Sequence, residues 1–162
     1  MAQRIANAFA GVLVAVAWLT AAAAGPNQAD AQKIDTCLKA AAGKDTSGAA
    51  CIGIVADPCI AAASKTNAYI KDSAACAARE LTIWTARMQR AVASAGKGGG
   101  KNIASAVAAS QKSFTDSLAK LCPLYDKVDP DMALGGANYC RLQETAMRVL
   151  LLQRLADAVN PH

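Results

Sequence analysis

The residues best suited to chemistry lie in the segment CAARELTIW, which runs from Cys76 to Trp84. On a helix, the Cys76 thiol would lie one turn ahead of Arg79 and Glu80. Charged neighbours at that distance are typical of a reactive thiol in an active site. A nucleophilic cysteine needs a base, however, and the only histidine of the sequence is its last residue, His162. Glu80 lacks the second carboxylate or histidine that acid–base catalysis would need. We therefore expect a scaffold segment, and we predict no catalytic residue and no enzyme.

Six cysteines give the chain an even number of thiols, and none of them falls in a C-x-x-C motif. Without that motif, the spacings of a thioredoxin-like redox pair, a zinc ribbon and covalent haem attachment are all missing. No metal or cofactor is predicted. Sequence alone does not choose among the possible disulfide pairings. Pairs that join two elements across one turn are favoured, and these are Cys37–Cys51, Cys59–Cys76 and Cys122–Cys140.

The beginning of the chain has the order of an export signal. The residues MAQR carry one positive charge, an apolar run follows, and two small-x-small sites end at Ala24 and Ala31. The second site is preferred because Pro26 lies just past the first and would hinder a peptidase. We expect a signal peptide at residues 1–31 and a periplasmic or secreted protein stapled by disulfides. The alternative is an uncleaved anchor helix, since about 20 apolar residues can span a bilayer; no later run resembles a second span.

Charge and aromatic content argue against nucleic acid as a partner. The chain has 17 Lys and Arg against 12 Asp and Glu, a net charge of +5, and the basic residues are scattered. Aromatic residues make up only 4% of the sequence, so no stacking platform for bases is visible. Weak attraction to anionic lipid headgroups or wall polymers remains an alternative.

Apolar periodicity indicates an all-α fold, a small disulfide-stapled helical bundle. Long helices are predicted at residues 73–95, at 103–122 after a cap at Asn102, and at 137–159. The second is expected to bury a stripe from Ile103 to Leu121. A shorter helix follows Asp30, and two helical turns meet at Asp57-Pro58. Residues 32–63 would form an N-terminal cysteine-containing arm, and residues 64–162 the main helical domain.

The glycine-rich run GKGGGK, residues 96–101, invites a phosphate-loop interpretation that its spacing does not support. That loop needs an earlier glycine and a serine or threonine after the Gly-Lys pair. Ala95 and Asn102 occupy these two positions. The run is therefore predicted to be a flexible turn between two long helices.

With the helices placed, an ordered set of residues resembles the lysozyme-inhibitor LprI family, a group of small exported helical domains with paired cysteines. The resemblance covers roughly residues 59–155 and departs from the family where Thr85 replaces an aspartate and where an Arg-Asp pair ahead of Cys122 is missing. Besides the cysteines, the matching motif residues are Glu80, Trp84, Gln111, Phe114, Thr145 and Arg148.

The resemblance implies a protein partner, lysozyme, that is inhibited by binding. Familiar lysozymes are strongly basic, so an inhibitor should offer acidic or neutral groups. The loop between Cys122 and Cys140 is the candidate contact surface, tethered at both ends, with Tyr125, Asp126, Asp129 and Asp131. For these loop residues, the alternative is a solvated surface loop. For the protein as a whole, the alternative is a cell-envelope interaction or structural module that inhibits nothing.

Glu80 is expected to pair with Arg148 or Arg87.

Overall fold

The computed structural model describes residues 28–44, 48–128 and 135–160, and this part of the chain is helical without a β-strand. The all-α prediction is thereby confirmed. Most of the predicted signal peptide, residues 1–27, lies outside the described residues. The α-helices are α1 (Gln28–Ala42), α2 (Ala56–Ala63), α3 (Tyr69–Gly98), α4 (Gly100–Leu121), α5 (Tyr125–Val128) and α6 (Gly136–Val159), with 3₁₀ turns at Ala49–Cys51 and Cys122–Leu124.

Helices α3 and α6 run parallel and form the centre of the molecule. Asn138 near the start of α6 donates a hydrogen bond to the Ala74 carbonyl oxygen, and Asn160 just past its end lies over the Ser94 carbonyl oxygen. The predicted buried positions of α6 are confirmed; they are Leu142, Ala146, Val149 and Leu152. Burial of each large apolar side chain contributes about 1.5–3 kcal/mol, so this stripe holds the two helices together.

The N-terminal helices share this core. Ile34 of α1 and Ile60 of α2 pack in the same cluster as Trp84 and Leu142 of the two central helices. Helix α1 runs parallel to α3, because Asp30 contacts Arg79, and Asp35, farther along α1, contacts Arg87, farther along α3. Apolar side chains from all four helices therefore exclude water from one common interior.

Three disulfides close the structure, and all three favoured pairings are confirmed. Cys37–Cys51 joins α1 to the first 3₁₀ turn, Cys59–Cys76 joins α2 to α3, and Cys122–Cys140 joins the end of α4 to α6. Their Cα atoms are 5.7, 5.6 and 5.5 Å apart, within the usual range for a disulfide.

Helix α4 buries less than its apolar pattern predicts. Of the predicted stripe, Val107 is buried and Phe114 is half-buried, whereas Leu121 is exposed. Much of the helix is alanine and serine, and Ile103 and Val107 near its start are the residues that join α3 and α6 in a common apolar cluster. The prediction of a continuous buried stripe on this helix is wrong at its C-terminal end.

The glycine-rich run is helical almost throughout, which corrects the predicted flexible turn. Helix α3 continues to Gly98 and α4 begins at Gly100, so the turn is confined to Gly99, and Asn102 lies inside the helix instead of capping it. The need for glycine at Gly98 and Gly100 has two different reasons, the space at the first and the backbone conformation at the second. A Cβ on Gly98 would lie 2.2 Å from the Asn160 Oδ1, and Gly100 has a left-handed φ of +67°.

None of the described helices is long and apolar enough to cross a membrane.

Candidate functional site

Glu80 is the most elaborately bonded side chain of the core. Its carboxylate has no exposed surface, and four N–H groups converge on it. Oε1 accepts from the Gly53 amide and the Trp84 indole, both at 2.9 Å. Oε2 accepts from the Val55 amide at 2.9 Å and the Ala56 amide at 2.7 Å. Because Val55 and Ala56 begin α2, a carboxylate of α3 satisfies amides that have no partner within α2 and complements the positive end of that helix.

This arrangement corrects the predicted ion pair of Glu80 with Arg148 or Arg87. The Nη2 atom of Arg87 is 2.6 Å from Asp35 of α1, and the guanidinium also lies over the Trp84 ring. Arg148 is directed to α4, as described below. Glu80 is thus balanced by backbone amides, and its role in the described structure is to join α2 to α3.

Three further motif residues, Gln111, Phe114 and Arg148, form a second cluster between α4 and α6. Arg148 of α6 donates to the Ser110 hydroxyl at 2.7 Å and stacks over the Phe114 ring at 5.5 Å. Its Nε lies 3.5 Å from Gln111 Oε1, the outer limit of a hydrogen bond, while the Gln111 amide reaches the Met88 sulfur at 3.2 Å. Thr145, one turn earlier on α6, is buried. The structure therefore divides the motif into a core cluster around Glu80 and Trp84 and this second, more exposed cluster.

Tyr139, at the start of α6, connects that helix to α2. Its hydroxyl donates to Asp57 Oδ1 at 2.8 Å. Burial, together with this hydrogen bond and the negative charge of Asp57, raises the pKa of the Tyr139 phenol above 10.0. The neutral phenol is therefore the form that the folded protein prefers.

The segment at Cys122 carries an exposed row of large apolar side chains. Leu121, Leu124, Tyr125 and Val128 are spaced by three, one and three residues, so they lie on one side of the helical stretch, and 44–84% of each side chain is exposed. We call these four residues the apolar row. Cys122 itself is buried against Cys140, Ala137 and Leu118. The row is thus anchored directly to the interior.

Asp126 attaches the same segment to α6. Its Oδ1 accepts a hydrogen bond from the Ala137 amide at 2.8 Å, where α6 begins and its first amides lack helical partners. Of the four predicted contact residues, Tyr125 is therefore on the exposed row, Asp126 carries a helix cap, and Asp129 and Asp131 lie outside the described residues.

Sequence reasoning missed most of the apolar row. Leu121 was predicted to be buried, and the residues after Cys122-Pro123 were predicted to form a loop. The signal was present in the spacing of Leu121, Leu124, Tyr125 and Val128, which matches one helical face. Pro123 argued against a continued helical face, because proline usually stops a helix. In the structure it lies in the first positions of a 3₁₀ turn that continues into α5.

Acidic, histidine and cysteine side chains do not gather in threes at any point of residues 28–44, 48–128 and 135–160 where they could hold a metal ion. In comparisons with known proteins, no family model, curated protein or solved structure matches this chain. The resemblance to the lysozyme-inhibitor family therefore depends on the motif residues alone.

Proposed function

We propose that the protein is an exported binding protein that contacts a partner protein through the apolar row. The observation that carries this proposal is the exposure of four large apolar side chains on one side of a disulfide-anchored segment. Contiguous exposed apolar surface on a small protein commonly marks an interaction site. Tyr125 adds an aromatic side chain with a polar end, the type enriched at protein interfaces.

The segment is also well prepared for binding. The Cys122–Cys140 disulfide fixes it to α6, and the Asp126 cap adds a second attachment. A surface that is already ordered loses less conformational entropy on association, so more of its contact energy becomes affinity.

Lysozyme is the partner to test first, and inhibition would follow from binding at its substrate cleft. Two arguments support this choice. The motif residues resemble a lysozyme-inhibitor family, and Asp129 and Asp131 follow the apolar row directly in the sequence, where they would complement a basic target.

The test is a lysis assay in which the oxidised protein is titrated against a panel of lysozymes acting on peptidoglycan. We expect saturable one-to-one inhibition, and we expect Leu124→Asp to weaken it at least ~10-fold, a loss of ~1.4 kcal/mol of binding free energy. Leu151→Asp is the matched control, since Leu151 is an exposed leucine on α6 outside the row.

The outcomes separate the parts of the proposal. Equal loss in both variants would show that the apolar row is not the contact surface. If the folded wild-type protein inhibits no lysozyme of the panel, lysozyme is the wrong partner.

A second candidate function is a cell-envelope interaction module that inhibits nothing. It is favoured by the net charge of +5 and by two lysines of the same segment, Lys120 just before the apolar row and Lys127 within its span, which pair with no carboxylate of the described chain. Binding of this kind to vesicles or wall polymers of negative charge should fall steeply between low and physiological salt, because the charges are exposed and screened. Binding to a lysozyme through the apolar row should change much less.

A further inference from the structure

We infer that the export signal is removed after Ala24, so that the mature protein begins at Gly25 and keeps the whole of α1. This inference rests on the proposed export. It differs from the prediction of a cut after Ala31, and it comes from the first turn of α1, which is part of the packed structure.

Asp30 is the residue that ties this first turn to the fold. Only 2% of it is exposed, and the guanidinium of Arg79 on α3 contacts its Oδ2 through both Nε and Nη2. The next residue, Ala31, packs against the main core. A buried carboxylate is unfavourable unless it has a partner, and here the partner is supplied from another helix.

A cut after Ala31 would remove these contacts. The new N-terminus at Gln32 would place a positive charge at the positive end of the shortened helix, only two residues before the fully buried Ile34. Arg79 would lose the one carboxylate with which it pairs in the described part of the chain. A cut after Ala24 leaves all of α1, which begins at Gln28, in the mature protein.

The rule for cleavage sites does not decide between the two positions. Ala22 and Ala24 satisfy the small-x-small pattern as well as Ala29 and Ala31 do. Pro26 is the second residue past the first bond, so it does not flank the bond itself. Signal removal precedes folding, so the helix does not protect its own peptide bond. The two products differ in the fold that they can form, because only the longer one contains the Asp30–Arg79 pair.

The first measurement is the intact mass of the protein after expression of the full chain in an exporting host. A mass that begins at Gly25 is expected. A mass that begins at Gln32 would overturn this inference and leave export intact. A chain that keeps residues 1–24 would also overturn it, and export would fail as well only if that chain stays inside the cell instead of facing the periplasm or the medium.

Two single substitutions provide a matched pair, because each puts a bulky side chain at the third position before one site. Ala22→Phe should block or strongly reduce processing, and Ala29→Phe should leave the start at Gly25 unchanged. The reverse pattern would overturn the inference.

A stability comparison tests the structural reason separately. Oxidised proteins that begin at Gly25 and at Gln32 are melted side by side, with Asp30→Asn in the longer one. We expect the longer protein to melt about 3 °C higher or more, and Asp30→Asn to remove most of that difference. Equal melting temperatures would contradict the role given to Asp30.

Discussion

At the scale of single residues, Glu80 shows how a buried charge can be stabilised without an ion pair. Its carboxylate is surrounded by N–H groups from Gly53, Val55, Ala56 and the Trp84 indole. Hydrogen bonds to a charged acceptor contribute roughly 1.5–3 kcal/mol each, and they are directional. The side chain therefore determines both where α2 begins and how it lies on α3.

Glu80→Gln should lower the free energy of unfolding by about 3 kcal/mol, because the amide NH₂ group would face backbone N–H donors and leave at least one of them unpaired. Urea unfolding measures the change. Glu144→Gln on the exposed face of α6 is the control and should have little effect. Equal stability of the wild-type and Glu80→Gln proteins would contradict the four-donor arrangement.

Tyr139 makes a contribution to stability that depends on alkaline pH. Because its pKa is raised in the folded state, its contribution is fully present below pH 10.0 and is lost as the pH rises through the folded pKa. We expect the stability advantage of the wild-type protein over Tyr139→Phe to shrink above that pH. Urea unfolding at several pH values measures the advantage, and absorbance of the phenolate follows the ionisation. An advantage that stays constant up to pH 12 would refute the effect.

At the scale of elements, the connection between α3 and α4 depends on the space around its glycines. Gly99 is the most restricted position, since a Cβ there would lie 2.3 Å from the Cβ of Ile103. Gly96, one turn earlier on α3, has its nearest such neighbour at 3.8 Å. Two alanine substitutions three residues apart should therefore act in opposite directions.

Gly99→Ala should destabilise the protein by about 1–3 kcal/mol, the usual result of overpacking. Gly96→Ala should stabilise it by about 0.5–1 kcal/mol, because alanine has the higher helix propensity and fits the space. Thermal melting of both variants measures the difference. Similar melting temperatures for the two would show that the connection is as flexible as its composition suggests.

The elements also show which features can be predicted from sequence. The stripe of α6 was predicted correctly because Leu142, Val149 and Leu152 have large side chains at helical spacing. The partners of Glu80 were not predicted, since they are mostly backbone amides, and backbone amides occur in every residue and leave no pattern in a sequence. The exposure of Leu121 was missed because periodicity reports which side of a helix is apolar, and not whether another helix covers it.

At the scale of the whole molecule, disulfides supply a large share of the stability. The three loops span sequence separations of 14, 17 and 18 residues, each worth about 3 kcal/mol in the chain-entropy model. Their sum is comparable to the net stability of ~5–15 kcal/mol that is typical of a domain.

Reduction and alkylation of all three disulfides should therefore unfold most of the protein at room temperature. Circular dichroism measures the expected loss of helix, and the unreduced sample in the same buffer is the control. A reduced protein that keeps a cooperative thermal transition would show that the apolar core suffices alone.

The order of the disulfides has a consequence for how the protein is made. Each bond joins a cysteine to the next one in the chain, and no bond crosses or encloses another. A chain that crosses a membrane from its N-terminus, as we propose for this one, exposes its cysteines in that same order, so each thiol first meets the partner that it keeps. Oxidation during translocation would then produce the native bonds directly, without the reshuffling by a disulfide isomerase that interleaved pairings require.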